Sequence, residues 1–417
     1  MPVLIRVKSS NREHVTCQLG SPNGQASADQ RPGMKKSSNF DFDSPPDRHD
    51  SASSKWEKYG DRDVIPLWVA DMDFRTAPCV VDVLAERVRH GIFGYTQPPK
   101  ELPQVIADAL KRDFSWTIDP DWIVWMPSLV VGLNVVSRAF ADSGEEVLTA
   151  IPIYPPFLTA PRNGDRVTVT VPLQEHSGRW LWDFEALGRA VTDKTRTLLL
   201  CSPHNPTGRV WSADELGAVA EFCTRNDLVL VSDEIHSGLV LDRDKKHIPV
   251  ASLGDVARRT VTLLSASKTF NLPGLGCACA VVSDPILRAK LQRTMRGIVH
   301  HVGALGYFAT LAAYRDGKPW QLALLDYLRE NRDLVEARVS AMRGLRTWHV
   351  EATYLAWIDA RGLPVKDPVR FFEEAGVGLY AGSLFDAPGF LRLNFACPRG
   401  LLVDALDRMQ AAVERIS

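Results

Sequence analysis

Short β-rich runs alternate with helical stretches between residues 121 and 282, and this alternation constrains the fold more than any other feature of the sequence. Several runs are apolar almost throughout, as expected of strands that helices cover on both faces. The alternation predicts an α/β fold with a mostly parallel sheet, whose catalytic groups lie at the carboxyl ends of the strands. The predicted strands are Trp122–Trp125, Glu146–Ala150, Arg166–Val171, Thr197–Cys201, Leu228–Ser232, Thr260–Leu264 and Cys277–Val282.

The segment before this region has two parts. Residues 1–38 are rich in Ser, Gly, Asn and Gln and lack a sustained period, so we expect a disordered extension, with Met34 as a candidate start. Residues 64–70 predict an extended segment, and residues 77–90 predict a helix with Pro78 in its first turn.

The segment after this region predicts a second domain. A helical region at 285–342 precedes mixed strands and helices at 353–358, 368–375, 390–395 and 401–415, which are typical of a smaller α+β domain. We therefore expect the extension at 1–38, an N-terminal arm at 39–75 that belongs to the small domain, a large domain at 76–317 and the small C-terminal domain at 318–417.

Charge and hydropathy narrow the classes of partner. The 49 basic and 50 acidic residues give a net charge of −1, which argues against nucleic-acid partners and anionic membrane surfaces. No apolar run reaches the roughly 18 residues of a membrane span, and no export signal is evident. The seven cysteines lack paired spacing, so a disulfide framework or a structural zinc site is not expected. A cytoplasmic protein fits these features.

Lys268 is the first candidate catalytic residue. It follows the predicted strand 260–264 within Ser265-Ala266-Ser267-Lys268. Hydroxyl and backbone N–H groups can hold a phosphate, while the lysine amine condenses with an aldehyde and later moves protons. Taken alone, the pattern also describes an ordinary solvated lysine.

Two further strands end in polar groups. Leu230–Ser232 runs into Asp233, Glu234 and His236, and a buried carboxylate there would need a cation such as a protonated pyridine nitrogen. His236 could donate to a phenolate oxygen of the same ring. The acids alone would also suit a helix N-terminus. The strand 198–201 leads into a rigid loop in which Asn205 offers an amide donor, although an ordinary β-turn has the same composition.

These segments, in this order and spacing, resemble fold-type I enzymes that depend on pyridoxal phosphate, within the class I/II aminotransferase group. In that group the chain is most similar to the C–S β-lyases, the MalY/PatB-like cystathionine β-lyase branch, over about residues 39–417. The branch resemblance rests on residues 68–74, Gly94-Tyr95-Thr96, 233–237, 265–271 and 390–399.

The resemblance implies a large cofactor-binding domain with a mostly parallel seven-stranded sheet and a smaller α+β domain. It also implies a role for each motif residue around the cofactor ring. Lys268 is the covalent anchor, Asp233 pairs with the ring nitrogen, and Asn205 and His236 approach the ring oxygen. Tyr154 covers the ring, and Arg392, aided by Asn205, binds the substrate carboxylate.

The family also implies a shared active site. Tyr95 matches a tyrosine that reaches the phosphate of the neighbouring subunit's site, which predicts a homodimer and adds Tyr95 to the catalytic residues. Within one subunit, the phosphate would be held by Ser265, Ser267 and the backbone amides of Leu129 and Val130. Ser128 and Val131 stand where relatives usually carry Gly and Pro, and Gly238 stands where they often carry Asp. We assign Gly238 no catalytic meaning.

The sequence indicates only weakly which reaction the enzyme catalyses. Loss of the substrate Cα proton can lead to β-elimination or to transamination, and Lys268 could move the proton in either. His236, where many aminotransferases of the group have Tyr, and the segment 68–74 favour a lyase acting on L-cystathionine or cysteine S-conjugates. An aminotransferase is the alternative hypothesis, and a regulator that acts by binding another protein is a third hypothesis.

Overall fold

The computed structural model of the protein describes residues 40–416, so the extension expected at 1–38 lies outside the described residues. The strands are β1 (Ile65–Pro66), β2 (Ile123–Met126), β3 (Glu146–Ile151), β4 (Val167–Pro172), β5 (Gln174–His176), β6 (Arg179–Leu181), β7 (Thr195–Cys201), β8 (Val229–Asp233), β9 (Thr260–Leu264), β10 (Ala278–Val281), β11 (Arg346–Thr347), β12 (Leu355–Asp359), β13 (Val377–Gly378), β14 (Tyr380–Ala381) and β15 (Phe390–Asn394).

Helices surround these strands. They are α1 (Ser54–Glu57), α2 (Pro78–His90), α3 (Leu102–Phe114), α4 (Leu129–Phe140), α5 (Pro155–Arg162), α6 (Phe184–Ala190), α7 (Ala213–Arg225), α8 (Pro285–Met295), α9 (Ala304–Asp316), α10 (Lys318–Ala341), α11 (Pro368–Glu374) and α12 (Arg399–Glu414). Within residues 40–416, none of these helices has both the length and the apolar character that crossing a bilayer requires.

Seven strands form the central sheet in the order β2-β10-β9-β8-β7-β3-β4. Neighbours from β9 to β4 are parallel, and β10 runs antiparallel to β2 and β9. Alternate residues of β7 enter two separate apolar clusters, Leu199 with α4 residues and Leu198 and Leu200 with α7 residues. Burial on both faces explains the continuous apolar runs. The predicted mostly parallel sheet and the α/β class are confirmed.

The register of the central strands brings three of their ends together. Asp233, the last residue of β8, pairs with Cys201 at the end of β7 and with Leu263 near the end of β9. The loops that follow β7, β8 and β9 therefore begin side by side at one edge of the sheet.

A second, antiparallel sheet has the order β11-β12-β15-β14. Its apolar side joins residues of α10 and α12 in one large core cluster. Strand β1 pairs with β13, so Ile65 lies beside Val377 in the C-terminal part of the chain. This pairing supports our proposal that residues 39–75 belong to the small domain; the boundaries at 76–317 and 318–417 stay predictions.

The extended segment expected at 64–70 is only partly a strand. Ile65 and Pro66 pair with β13, but the chain from Trp68 to Phe74 has no regular secondary structure. Its carbonyl groups accept hydrogen bonds from side chains instead of from a neighbouring strand, as described below. The helix expected at 77–90 is confirmed as α2, which ends at Gly91 in the left-handed conformation.

Candidate active site

A cavity of about 210 Å³ lies at the carboxyl ends of β7, β8 and β9 and at the start of α4. The structure brings most of the predicted site residues together around it. They are Leu129, Val130, Tyr154, Asn205, Asp233, His236, Ser265, Ser267 and Lys268. Arg392 does not line the cavity, but it donates a hydrogen bond to Asn205, which lines it.

Asp233 is a buried acid that lacks a cation partner. Its side chain accepts one hydrogen bond, from the backbone N–H of Ile235 at 3.1 Å, and it forms no salt bridge within residues 40–416. Burial raises the pKa of Asp233 to about 7. A cation placed in the cavity would favour the ionised form, so this position is suited to a positively charged ligand group.

Lys268 lies in a tight turn after β9 and lines the cavity, with its side chain partly buried. Its Nζ donates to the backbone carbonyl of Ala70 at 2.5 Å. Burial, and then the charge of Arg392, lower the pKa of Lys268 to about 8. A considerable fraction of the amine is therefore neutral near pH 7.5, as an amine that bonds an aldehyde or accepts a proton requires.

Arg392 is a buried cation that lacks an anion partner. Its Nη1 donates to Asn205 Oδ1 at 3.0 Å and its Nη2 to the Trp68 carbonyl at 3.1 Å, while the guanidinium lies 4.9 Å from the ring centroids of Tyr380 and Phe385. No carboxylate of the described chain pairs with it, its Nε has no acceptor there, and burial lowers the pKa of Arg392 to about 10. Such a group is ready to bind a carboxylate.

His236 and Tyr154 occupy two other sides of the cavity. His236 is buried and its Nδ1 has no hydrogen-bond partner among the described residues. Burial holds the pKa of His236 well below its usual value, so the imidazole is neutral. Tyr154 immediately precedes α5 and lines the cavity. Its placement is the one that a ring stacked on a planar ligand needs.

The start of α4 offers backbone donors for an anion. The Ser128 hydroxyl caps the helix by accepting the Val131 N–H at 3.3 Å, and the first-turn N–H groups of Leu129 and Val130 have no acceptor within the helix. The departure from Gly and Pro at positions 128 and 131 therefore leaves the helix start intact.

The two serines predicted to hold the phosphate, Ser265 and Ser267, differ in whether their hydroxyl groups are free to donate to a ligand. Ser265 Oγ donates to the Cys277 carbonyl at 2.7 Å and accepts the Ser267 N–H at 3.1 Å. Its hydroxyl proton is thus directed at the protein, and the hydroxyl must rotate before it can donate to a ligand. The hydroxyl of Ser267, in contrast, has no hydrogen bond within residues 40–416 and faces the same cavity.

The segment Trp68–Phe74 closes one side of the site through its backbone, which sequence reasoning missed. Asn394 Nδ2 donates to the Val69 and Asp71 carbonyls, and Asn271 Nδ2 donates to the Met72 and Phe74 carbonyls. The Ala70 carbonyl accepts from Lys268 and also from the Tyr354 hydroxyl. A backbone acceptor cannot be recognised from the type of residue, and the sequence around Tyr354 is that of an ordinary core residue.

Tyr95 lies apart from the cavity of its own subunit. Its side chain is fully exposed, in a loop between α2 and α3 without regular secondary structure. Gly238 has a packing role, because a Cβ at this position would lie 2.5 Å from Thr269 Oγ1, and its carbonyl accepts from Gln321 Nε2 at 2.7 Å.

The cavity residues fit pyridoxal phosphate, the cofactor that the family resemblance predicts. That cofactor needs an amine for its aldehyde, an anion beside its ring nitrogen and donors for its phosphate. Lys268, Asp233 and the first turn of α4 supply these three groups around one cavity. The unpartnered Nδ1 of His236 adds a polar group for the ring edge.

Comparison with known proteins agrees with this chemistry. The family model described as aminotransferase class I and II matches residues 62–409. Cystathionine β-lyase PatB of Bacillus subtilis (strain 168) is 35% identical over 389 residues, which cover 90% of this chain and 100% of the relative.

Solved structures agree as well. The crystal structure of OvoB is 45% identical with a TM-score of 0.88, over 90% of this chain and 99% of that one. The crystal structure of cystalysin from Treponema denticola, which contains a pyridoxal 5′-phosphate cofactor, is 29% identical with a TM-score of 0.87, over 91% and 100% of the two chains. The resemblance inferred from the motifs is confirmed, and the chain belongs to the class I and II aminotransferase family, in which its similarity is to the cystathionine β-lyases.

Proposed function

We propose that this protein is a pyridoxal-phosphate-dependent C–S β-lyase that cleaves L-cystathionine or cysteine S-conjugates to a thiol, pyruvate and ammonia. The observation that carries the proposal is a buried acid and a buried cation, Asp233 and Arg392, which have no salt-bridge partner within residues 40–416 and both act electrostatically on the amine of Lys268. A cationic ring nitrogen and a substrate carboxylate are the two groups that would compensate them.

The residues that would hold the cofactor surround the cavity. Lys268 would bond the aldehyde carbon, Asp233 would keep the ring nitrogen protonated, and the amide of Asn205 and the imidazole of His236 would approach the ring oxygen. Tyr154 would stack on the ring. The phosphate would lie at the start of α4, against the N–H groups of Leu129 and Val130 and the hydroxyls of Ser265 and Ser267.

The chain's own groups then account for the reaction. Pyridoxal phosphate, when bound, supplies a carbonyl carbon that takes up the substrate amine and a ring that withdraws electrons from the substrate Cα. Arg392 binds the α-carboxylate and thereby fixes which Cα bond faces Lys268. Because the substrate amine would displace Lys268 from the cofactor, the freed neutral amine of Lys268 can accept the Cα proton. The C–S bond at Cβ breaks with its electron pair on the leaving thiolate, and water converts the remaining three-carbon fragment to pyruvate and ammonia.

An absorbance spectrum and one substrate test the proposal. Protein purified with pyridoxal phosphate should show a visible absorption band and should release pyruvate, ammonia and homocysteine from L-cystathionine without any added 2-oxo acid. Transfer of the amino group to a 2-oxo acid without pyruvate release would instead identify an aminotransferase. Absence of the visible band would exclude the cofactor.

We propose that the protein is a homodimer with shared active sites. Large apolar side chains on α2 and in the loops after α2 and α8 are exposed. A second copy that covers these side chains would bury them and could carry the exposed Tyr95 to the partner's phosphate site. The exposed residues are Val81, Val88, Ile92, Phe93, Tyr95 and Ile298.

Mixing two inactive variants tests the shared site. Tyr95→Ala should lower kcat by about 10²-fold because the phosphate loses a donor, and Lys268→Ala should be inactive. After joint unfolding and refolding, half of the dimers should be mixed, and each mixed dimer should contain one intact site, so that about a quarter of wild-type activity returns.

The control for this experiment mixes Lys268→Ala with Asp233→Asn. Both residues line the cavity of one subunit, so no mixed dimer regains an intact site. Recovery in the control, or no recovery with Tyr95→Ala, would contradict the shared site.

We propose a cytoplasmic location for the enzyme. The six cysteines within residues 40–416 are free thiols, and five of them are buried. Such a set is typical of proteins in a reducing compartment.

A further inference from the structure

The carbonyl oxygen of Ala70 is a double acceptor beside the candidate catalytic amine. Lys268 Nζ donates to it at 2.5 Å and the Tyr354 hydroxyl donates to it at 3.0 Å. A carbonyl oxygen has two lone pairs, so these two donors use its whole accepting capacity. The Tyr354 hydroxyl thus competes with the N–H of Lys268 for this acceptor.

The Ala70 peptide is fixed from both sides. Asn394 Nδ2 donates to the Val69 carbonyl at 2.6 Å and to the Asp71 carbonyl at 2.7 Å. Asn394 is the last residue of β15 and is fully buried. The oxygen that accepts from Lys268 is therefore held in place by the small antiparallel sheet.

Tyr354 is also held in a fixed position. Its side chain is buried, and its ring makes an edge contact with His236 at a centroid distance of 6.2 Å. The preceding residue, Thr353, has φ +76°, a conformation that is rare for a β-branched residue. Two hydrogen bonds keep Thr353 in this conformation. Its N–H donates to the Leu239 carbonyl, and its hydroxyl oxygen accepts from the Leu355 N–H. Strain of this kind is often found where a fold places a functional group.

We propose that Tyr354 is a positioning residue for Lys268 and acts through the Ala70 carbonyl. Its hydroxyl occupies one lone pair of the oxygen and leaves a single acceptor for the amine. A neutral amine needs no more, because it donates one N–H and keeps its nitrogen lone pair free for the proton at the substrate Cα. An ammonium group has three N–H donors and gains less from a single acceptor.

This inference rests on the proposed role of Lys268 as proton acceptor. In that step the Cα–H bond breaks, its electron pair stays with the substrate and the proton moves to Nζ. Other charges also act on the amine: the Asp71 and Asp233 carboxylates favour the ammonium form and the Arg392 guanidinium opposes it. The other titratable groups that face the site within residues 40–416 include His236, Tyr154, Tyr354 and the thiols of Cys201 and Cys277.

Tyr354→Phe tests the proposal by removing only the hydroxyl. Without the competing O–H donor, the Ala70 oxygen becomes a stronger acceptor for the N–H of Lys268, which favours the ammonium form, so the pKa of Lys268 should rise by about one unit. Nuclear magnetic resonance of the full-length, cofactor-free protein with ¹³C-labelled lysine measures this pKa, and Lys268→Arg assigns the signal. In the loaded enzyme, the acid limb of the kcat profile should move up by a similar amount, with KM changed less than about threefold.

Tyr327→Phe is the matched control. This substitution also removes two hydrogen bonds of a tyrosine hydroxyl, one donated to Asp43 and one accepted from the Arg399 N–H, but Tyr327 does not line the cavity. It should leave the pKa of Lys268 and the kcat profile unchanged. If Tyr354→Phe melts like the control and leaves both quantities unchanged, the proposal is wrong.

A measurement on the wild-type chain covers the case in which Tyr354→Phe does not fold. With ¹³C-carbonyl alanine and ¹⁵N-aspartate labels, the five Ala-Asp pairs of the sequence give signals, and the one lost in Asp71→Asn belongs to Ala70. The Ala70 carbonyl shift should follow the titration of Lys268, and an Ala70 shift independent of pH would overturn the proposal. The visible band is a separate readout. If it is missing from wild-type protein with pyridoxal phosphate, the proposed function fails. If it is present and the pKa does not move, only the role of Tyr354 fails.

Discussion

Lys268→Ala is expected to abolish the visible cofactor band and to lower kcat by about 10⁴-fold. The substitution removes both the amine that bonds the cofactor and the group that accepts the Cα proton. Lys268 is the only lysine that lines the cavity, so within residues 40–416 no other amine can replace it there. Reduction with borohydride followed by mass measurement should fix the cofactor to wild-type protein and not to the variant.

Lys290→Ala is the control for this prediction. Lys290 lies on α8 with an exposed side chain, and its loss should leave the band and kcat as they are in the wild type. A Lys268→Ala protein that keeps the band, or that still retains cofactor after borohydride treatment, would show that another amine is the anchor.

Asp233→Asn is expected to lower kcat/KM by about 10²- to 10³-fold, because the ring nitrogen loses its anionic partner in a buried site. The same variant should change how stability depends on pH. Without cofactor, burial raises the pKa of Asp233 from an unfolded value of 3.8 to about 7, so its stabilising contribution is present below pH 3.8 and is lost as pH rises through 7. A bound ring cation reverses this loss.

Melting temperatures at two pH values measure the effect. The increase in melting temperature on adding pyridoxal phosphate should be larger at pH 8 than at pH 6 in the wild type, and this difference should shrink in Asp233→Asn. Asp255→Asn changes an exposed acid in the turn before β9 and should behave like the wild type. If Asp233→Asn keeps wild-type kcat/KM, Asp233 is not the ring partner.

The sequence alone predicts the central sheet well, because each strand is a short apolar run between helical stretches. It also predicts Lys268, Asp233 and Asn205, since each lies at the end of a strand or within four residues of it, and parallel strands meet at one edge. These are local signals, and the observed strand limits differ from the predicted ones by only one or two residues.

Contacts between distant segments are the part that the sequence does not reveal. The bond from Tyr354 to the Ala70 carbonyl joins residues 284 positions apart and uses a backbone atom. The extended segment expected at 64–70 pairs as a strand only at Ile65 and Pro66 for the same reason, since side chains from β15 and from the turn after β9 take the place of a neighbouring strand. The side that each serine hydroxyl faces is likewise a matter of packing.

The way in which the segment Trp68–Phe74 is held has a consequence for how this site can change over evolutionary time. The Asn394 and Asn271 amides donate to main-chain oxygens, which every amino acid possesses, so these hydrogen bonds do not depend on which side chains the segment carries. They do depend on its length, because inserting or deleting one residue would displace each oxygen from its donor at once. Proteins that inherit this site should therefore keep the residue count of the segment unchanged.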